Sequence, residues 1–142
     1  MPDTRTERPV FRNIHVTQIV TYRLPLAGLV SILHRISGFL MSLLLPYVIY
    51  LFDRSLTSEA SFDDFRDGFI SGLGPFPAVL VKLGTLVLIW AFLLHLFAGL
   101  RHVYMDITHD HSLAFGRSSA LTVLAASLLL TVLLGAKLFG LY

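Results

Sequence analysis

Hydrophobic residues along this chain are gathered into three long segments, separated by shorter polar stretches. The first segment, residues 24–52, carries only two strongly polar side chains, His34 and Arg35. The second and third segments, residues 83–100 and 118–136, contain no Asp, Glu, Lys or Arg. A helix needs about 20 predominantly apolar residues to cross the hydrocarbon core of a bilayer. The pattern therefore predicts an all-α membrane protein with three transmembrane helices.

The predicted organisation is a polar N-terminal segment, residues 1–23, followed by a three-helix membrane unit, residues 24–142. The N-terminal segment contains Asp3 and Glu7, whereas mitochondrial transit peptides are poor in acidic residues. The first apolar segment is also much longer than the core of a cleaved signal peptide, which has about 7–15 residues. We therefore expect a protein of the bacterial inner membrane. The expected spans are about 25–52, 78–104 and 118–141, with a polar loop at 53–77.

Composition agrees with this class and excludes others. Hydrophobic residues make up 55% of the chain and charged residues 14%, against about 25% charged residues in a soluble domain. The chain has no cysteine, so it offers no disulfide, no thiolate metal site and no cysteine ligands for an iron–sulfur cluster. The pI of about 9.2 needs no nucleic-acid partner to explain it.

Lysine and arginine are distributed unequally between the two sides of the membrane. Cytoplasmic loops carry an excess of these residues. The N-terminal segment, together with the end of the second span and the loop after it, carries six of them, and the opposite side carries four. This bias predicts a cytoplasmic N-terminus and a periplasmic C-terminus. The six are Arg5, Arg8, Arg12, Arg23, Arg101 and Arg117, and the four are Arg54, Arg66, Lys82 and Lys137.

Ionisable side chains lie within or beside two of the apolar segments. The first segment contains His34 and Arg35; the second contains His95, and Arg101 and His102 follow it closely. An ionisable group at membrane depth costs roughly 2.5–3.5 kcal/mol or more, so such groups tend to mark functional sites. Two clusters on two helices indicate more than a simple membrane anchor.

Helical spacing places these side chains on two faces. Ser31, His34 and Arg35 stand at i, i+3 and i+4 on the first span, and residues three and four apart share a helix face. On the second span a single stripe is expected, and His95 lies about 10 Å deeper than the next histidine of that stripe. The two faces reach the same depth from the same side, which predicts one shared pocket. The stripe consists of His95, Gly99, His102 and Asp106.

A haem or a quinone would suit such a pocket. Imidazole is a common ligand of haem iron, and Gly99 lets a flat macrocycle approach the backbone. Haem propionates favour donors such as Arg35 and Arg101, and Ser31 offers a hydrogen bond to a quinone carbonyl. The residues alone leave a plainer alternative open. A histidine in a membrane span can simply bond a neighbouring helix, and Arg101 can be an anchor extended to the membrane surface.

Two motifs carry a family resemblance: S-I-L-H-R-I-S-G at residues 31–38 and H-x5-R-H-x3-D at residues 95–106. Together with Arg8 and Pro9 ahead of the first span, in a three-span chain of this length, they resemble the cytochrome b membrane-anchor subunits of succinate dehydrogenase. The resemblance implies haem b shared with a second three-span subunit, so that this chain forms half of a heterodimeric haem-binding bundle. It also implies an iron–sulfur subunit, a flavoprotein subunit that oxidises succinate, and ubiquinone as electron acceptor.

The resemblance also implies roles for particular residues. His95 is expected to be an axial ligand of the haem iron, with the opposite ligand supplied by the sister subunit. Ser31 and Arg35 are expected at the ubiquinone site. No catalytic residue is assigned on this chain, because succinate is oxidised on another one. The resemblance places His34, Arg35 and His102 near the haem propionates, and Arg101 is expected there from its charge and position.

Other functions stay open at this point. The chain can be a haem-free structural anchor, or a small transporter or proton relay lined by His34, Arg35 and His95. The equivalent anchor of a fumarate reductase is a further alternative, because fumarate reduction reverses the same chemistry. The T-H-D-H tract, residues 108–111, is expected to be a solvated loop rather than a metal site.

Overall fold

The structure is a computed structural model that describes residue 15, residues 17–18 and residues 22–142. Helices make up most of this part of the chain, and it contains no β-strand. Three of the helices are long and apolar enough to cross a membrane. The prediction of an all-α membrane protein with three transmembrane helices is therefore confirmed. The helices are α1 (Leu26–Leu56), α2 (Glu59–Gly68), α3 (Ala78–Thr108) and α4 (Leu113–Leu138).

Proline and serine set the starting points of the long helices. Pro25 and Pro77 directly precede α1 and α3, with φ angles of −65° and −64°. The proline ring holds φ near this value and brings no N–H that would need a partner. Ser112 precedes α4, and its hydroxyl accepts the N–H of Phe115 at 3.3 Å. Because of this cap, α4 begins at Leu113, ahead of the apolar segment that predicted the span.

A short helix, α2, lies in the loop between the first two membrane helices, where only a loop was predicted. Its start is a capping box. The Ser58 hydroxyl accepts the N–H of Ser61 at 3.1 Å, and the Ser61 hydroxyl accepts the N–H of Ser58 at 2.8 Å. These two bonds satisfy amides at the helix start that have no partner within the helix. A serine three residues after the cap is a weaker sequence signal than the usual Glu or Gln, so the sequence pattern does not predict this helix.

The three long helices pack against one another. Helix α3 contacts both α1 and α4 extensively, whereas α1 and α4 contact each other less. Their common core lies towards the end of the bundle where α3 turns into α4. Most other large apolar side chains on these helices are exposed, as expected for surfaces that face lipid or further helices. The core consists of Val30, Leu94, Ala98, Ala120 and Val123.

Small and hydroxyl-bearing residues line the buried face of α4, which lets its backbone approach the other helices closely. Gly135 shows how close this approach is, because a Cβ atom there would lie 2.8 Å from the Cδ1 atom of Leu86. The face of α4 is formed by Ala120, Val123, Ser127, Thr131 and Gly135.

Towards the opposite end of α1, the Tyr47 hydroxyl lies 2.8 Å from the Thr85 hydroxyl and donates to the Val81 carbonyl at 3.2 Å.

Candidate haem and quinone site

Three histidines meet where α1 packs against α3. The ring centroids of His34 and His95 are 4.1 Å apart, and those of His34 and His102 are 5.4 Å apart. The three side chains are half-buried. The sequence prediction that His34 and His95 lie at one level, facing each other across two helices, is confirmed by this contact.

The His95 ring rests on the backbone of α1. Its Nδ1 atom lies 3.1 Å from the His34 carbonyl oxygen and 3.3 Å from the Ser37 hydroxyl. A Cβ atom added at Gly38 would lie 3.0 Å from Cε1 of His95 and 3.3 Å from Nδ1, so only glycine lets the ring come this close without a shift. We call the His34 carbonyl, Ser37 and Gly38 together the His95 seat.

The seat determines which nitrogen of His95 carries the proton. A carbonyl oxygen can only accept hydrogen bonds, so the Nδ1 atom facing it must be the donor. In the neutral ring the Nε2 atom then keeps its lone pair. Nε2 makes no hydrogen bond to any residue that the structure describes. The arrangement therefore presents one uncommitted nitrogen ligand.

One ring nitrogen of His34 also lacks a hydrogen-bond partner in the part of the chain that the structure describes. Its Nε2 atom is buried and has no hydrogen-bond partner among the described residues. It lies beside Gly99, where an added Cβ atom would be 3.8 Å away. Leaving a buried polar atom unpaired costs about 1–3 kcal/mol. A polar group from outside the described chain, placed next to Gly99, would remove that cost.

Ser31 and Arg35 lie on α1 within one turn of His34. Arg35 is exposed and Ser31 is half-buried, and neither makes a hydrogen bond or ion pair with any described residue. On the polar stripe of α3, His102 is half-buried and Asp106 is exposed. The structure thus brings His34, His95 and His102 into contact and leaves the Arg35 guanidinium open towards the surroundings.

Arg101 takes a different direction. It is 8% exposed, and its Nε and Nη2 atoms donate to the Ser119 hydroxyl at 2.9 Å and the Gly116 carbonyl at 3.4 Å. Both partners lie on α4, and the side chain lines a groove of about 480 Å³ between α3 and α4. Arg101 therefore links α3 to α4 through hydrogen bonds. Its side chain does not extend to the membrane surface, which was the alternative that its position near the end of a span left open.

The T-H-D-H tract forms the end of α3 and the loop before α4. His109 has a φ of 56° and ends the helix, its N–H bonding the Met105 carbonyl. The exposed Asp110 carboxylate accepts the N–H of Ser112 at 3.0 Å, and this bond lowers the pKa of Asp110. Nowhere in the described part of the chain do three or more His, Cys, Asp or Glu residues group in a way that could hold a metal ion.

Comparison with known proteins identifies the family. The family model described as "Succinate dehydrogenase/Fumarate reductase transmembrane subunit" matches residues 4–134. The chain belongs to this family. The resemblance drawn from the two motifs is therefore confirmed, although Arg8 and Pro9 lie outside the described residues. The subunit is a multi-pass membrane component of a succinate dehydrogenase, and its family implies the other subunits of that complex.

Two relatives support the same identification over nearly the whole chain. A succinate dehydrogenase cytochrome b556 subunit of Coxiella burnetii is 36% identical over 129 residues, which cover 91% of this chain and 94% of that protein. A protein of the same name from Paracoccus denitrificans is 30% identical over 129 residues, covering 91% of this chain and 90% of that one. The name cytochrome b implies haem in these relatives.

Sequence reasoning missed part of this site. The sequence pattern does not predict a role for Ser37 or for the backbone carbonyl of His34, although both contact His95. A serine three residues after a histidine is a weak signal, because a serine inside a membrane helix commonly bonds its own backbone. Gly38 carried a hint, since it continues the face of Ser31, but its contact partner on α3 was not predictable from spacing.

Proposed function

We propose that this subunit binds haem b through His95 and contributes to a ubiquinone-reduction site, while anchoring the flavoprotein and iron–sulfur subunits to the membrane. The opposite axial ligand would come from a second three-helix subunit, so that this chain forms half of the haem-binding bundle. The succinate-oxidising chemistry would remain on the flavoprotein.

The orientation of the His95 ring carries the haem proposal. Metal-ligating histidines almost always donate their other N–H to a carbonyl, carboxylate or water, which fixes the tautomer. His95 has this arrangement, with Nδ1 on the His34 carbonyl and Nε2 uncommitted. Neither His34 nor His102 bonds a backbone carbonyl through its ring in the described part of the chain. This difference favours His95 over His34 as the ligand.

The surrounding residues fit the remaining needs of a haem. When bound, haem b would act as a one-electron carrier within the membrane. Its propionate carboxylates need charge-assisted donors, and His34, Arg35 and His102 offer nitrogen atoms without partners in the described chain. A propionate contact by Arg101 would have to use the guanidinium hydrogens that Ser119 and Gly116 do not take.

Ser31 and Arg35 are proposed to hold the quinone head group. The Ser31 hydroxyl and the Arg35 guanidinium can each donate a hydrogen bond to a quinone carbonyl oxygen, and the positive charge of Arg35 stabilises the negative charge that this oxygen gains on reduction. Both residues lie on α1 within one turn of His34. The remaining contacts of the quinone would come from the partner subunits.

The haem proposal is tested on the purified complex by optical spectroscopy of the oxidised and dithionite-reduced forms. His95→Ala should abolish or alter the low-spin haem spectrum. His111→Ala, in the exposed loop before α4, is the matched control and should leave the spectrum unchanged. If His95→Ala keeps the wild-type spectrum while His34→Ala removes it, the assigned ligand is wrong.

A haem-free anchor and a small transporter are the competing functions, and the same spectrum separates them from the proposal. A complex that contains all subunits but shows no haem absorption would favour the haem-free anchor. The direction of the reaction is a separate question. Comparing succinate oxidation with quinol-driven fumarate reduction in the same preparation shows which direction of the reaction this complex favours.

A further inference from the structure

We infer that the Ser37 hydroxyl is a positioning group for His95, and that it raises the reduction potential of the haem bound through this histidine. The inference rests on the proposed haem-binding function and adds a residue to it. Ser37 is completely buried, lies on α1 rather than on the helix that carries His95, and contacts the Nδ1 atom of that histidine rather than its uncommitted Nε2 atom.

Three polar atoms form a closed triangle in the His95 seat. The Ser37 hydroxyl donates to the His34 carbonyl at 2.8 Å. Nδ1 of His95 donates to the same carbonyl at 3.1 Å, and the Ser37 oxygen lies 3.3 Å from Nδ1. A carbonyl oxygen has two lone pairs and can serve both donors. The hydroxyl and the imidazole therefore share one acceptor.

Sharing the acceptor changes the electronic character of His95. The Ser37 hydroxyl draws electron density from the His34 carbonyl, which weakens that oxygen as an acceptor for the Nδ1–H group. A strong hydrogen bond from Nδ1–H makes a ligating imidazole more basic, and such neighbours tune the metal site. A more basic ligand favours the oxidised iron. The hydroxyl thus moderates the basicity of His95, and its removal should lower the potential.

A purely local role for Ser37 is the alternative, because serine in a membrane helix often bonds a carbonyl of the preceding turn. Ser42 provides that local case on the same helix. Its hydroxyl donates to the Gly38 carbonyl at 3.0 Å, it is exposed, and it contacts no histidine. Ser37 and Ser42 therefore differ in the contact with His95, which makes Ser42 the matched control.

The test is a potentiometric titration of the haem in the purified complex, with haem content measured in parallel. Ser37→Ala should retain the haem and lower its reduction potential, and Ser42→Ala should leave the potential unchanged. Ser37→Thr and Ser37→Val form a second pair with nearly the same shape, of which only threonine keeps the hydroxyl. The valine variant should show the lowered potential, and the threonine variant should return towards the wild-type value.

Several outcomes would overturn the inference while leaving the haem proposal intact. These are an unchanged potential in Ser37→Ala, equal shifts in the Ser37 and Ser42 variants, or equal potentials in the threonine and valine variants. Loss of haem in both the threonine and valine variants would make Ser37 a packing residue, which also contradicts the inference. Failure of the underlying haem proposal has a different signature, namely a wild-type complex without haem or a His95→Ala complex that keeps it.

Discussion

At the scale of single residues, the His95 seat depends on the absence of a side chain at Gly38. Gly38 has no side chain, and a Cβ atom at this position would lie only 3.0 Å from Cε1 of His95, closer than an ordinary van der Waals contact. The close approach lets the ring reach the His34 carbonyl at 3.1 Å. Adding even a methyl group at Gly38 should therefore displace the His95 ring on α3.

Gly38→Ala is expected to lower haem occupancy in the purified complex, because the added methyl group pushes the His95 ring away from its acceptor. Overpacking of this kind costs about 1–3 kcal/mol. The control is Gly84→Ala on α3, where an added Cβ atom meets nothing within 4 Å. Haem-to-protein ratios measured by absorption check the expectation, and equal ratios in the two variants would contradict it.

Ser31→Ala and Arg35→Gln are expected to lower quinone-dependent turnover. Loss of a hydrogen bond to a charged group is worth about 1.5–3 kcal/mol, or roughly ten- to a hundredfold in rate. Succinate oxidation with an artificial acceptor at the flavin end should survive, because that chemistry lies on another chain. Arg54→Gln, at the other end of α1, is the control. Equal losses in both assays would point to failed assembly instead.

At the scale of secondary-structure elements, α1 and α3 are joined by polar contacts at two levels. One level is the His95 seat. The other is the Tyr47 hydroxyl, which meets Thr85 and the Val81 carbonyl nearer the opposite membrane surface. Interhelical hydrogen bonds in membranes average about 0.6 kcal/mol, so this contact adds modestly to packing while orienting the two helices.

Tyr47→Phe is expected to destabilise the subunit by about 0.5–1.5 kcal/mol, because it removes the hydroxyl and leaves the ring. Tyr50→Phe is the control, since Tyr50 is exposed and its ring contact with Arg54 is kept by phenylalanine. Thermal unfolding of the purified complex, followed by loss of helical circular dichroism or of haem absorption, compares the two variants. Identical midpoints would show that the Tyr47 bond contributes nothing measurable.

At the scale of the whole molecule, one end of the bundle carries the site. The histidine cluster, Ser31 and Arg35 lie near the start of α1, and α3 returns to the same end before the loop at residues 109–112. Three membrane spans place the start of α1 and the end of α4 on opposite sides of a membrane. If this end faces the cytoplasm, an iron–sulfur subunit bound there would deliver electrons close to both proposed sites.

Reporter fusions test this orientation. A fusion after Tyr142 is expected to report a periplasmic location, and a fusion within residues 109–112 a cytoplasmic one, because Lys and Arg are more numerous on the latter side. Alkaline phosphatase and green fluorescent protein fusions give opposite signals and check each other. The reverse pattern would separate the site from a cytoplasmic electron donor and would contradict the proposed placement of the partner subunits.

The amino-acid sequence alone determined the membrane class, the number of spans and the two polar clusters. These properties follow from the length of apolar segments and from helical periodicity, which are local in the chain. The same local logic placed His34 and His95 at one level. The local pattern does not predict α2, because this helix begins at a Ser58–Ser61 capping box, and two serines at this spacing are a weak sequence signal.

Only the tertiary structure decided which atoms meet across the helices. It set the Nδ1 atom of His95 on the His34 carbonyl, added Ser37 to the site, and directed Arg101 towards Ser119 on α4. Periodicity defines the face of each helix but not the rotation of one helix against another. That rotation is settled by close packing at small residues such as Gly38 and Gly135, whose neighbours lie far away in the sequence.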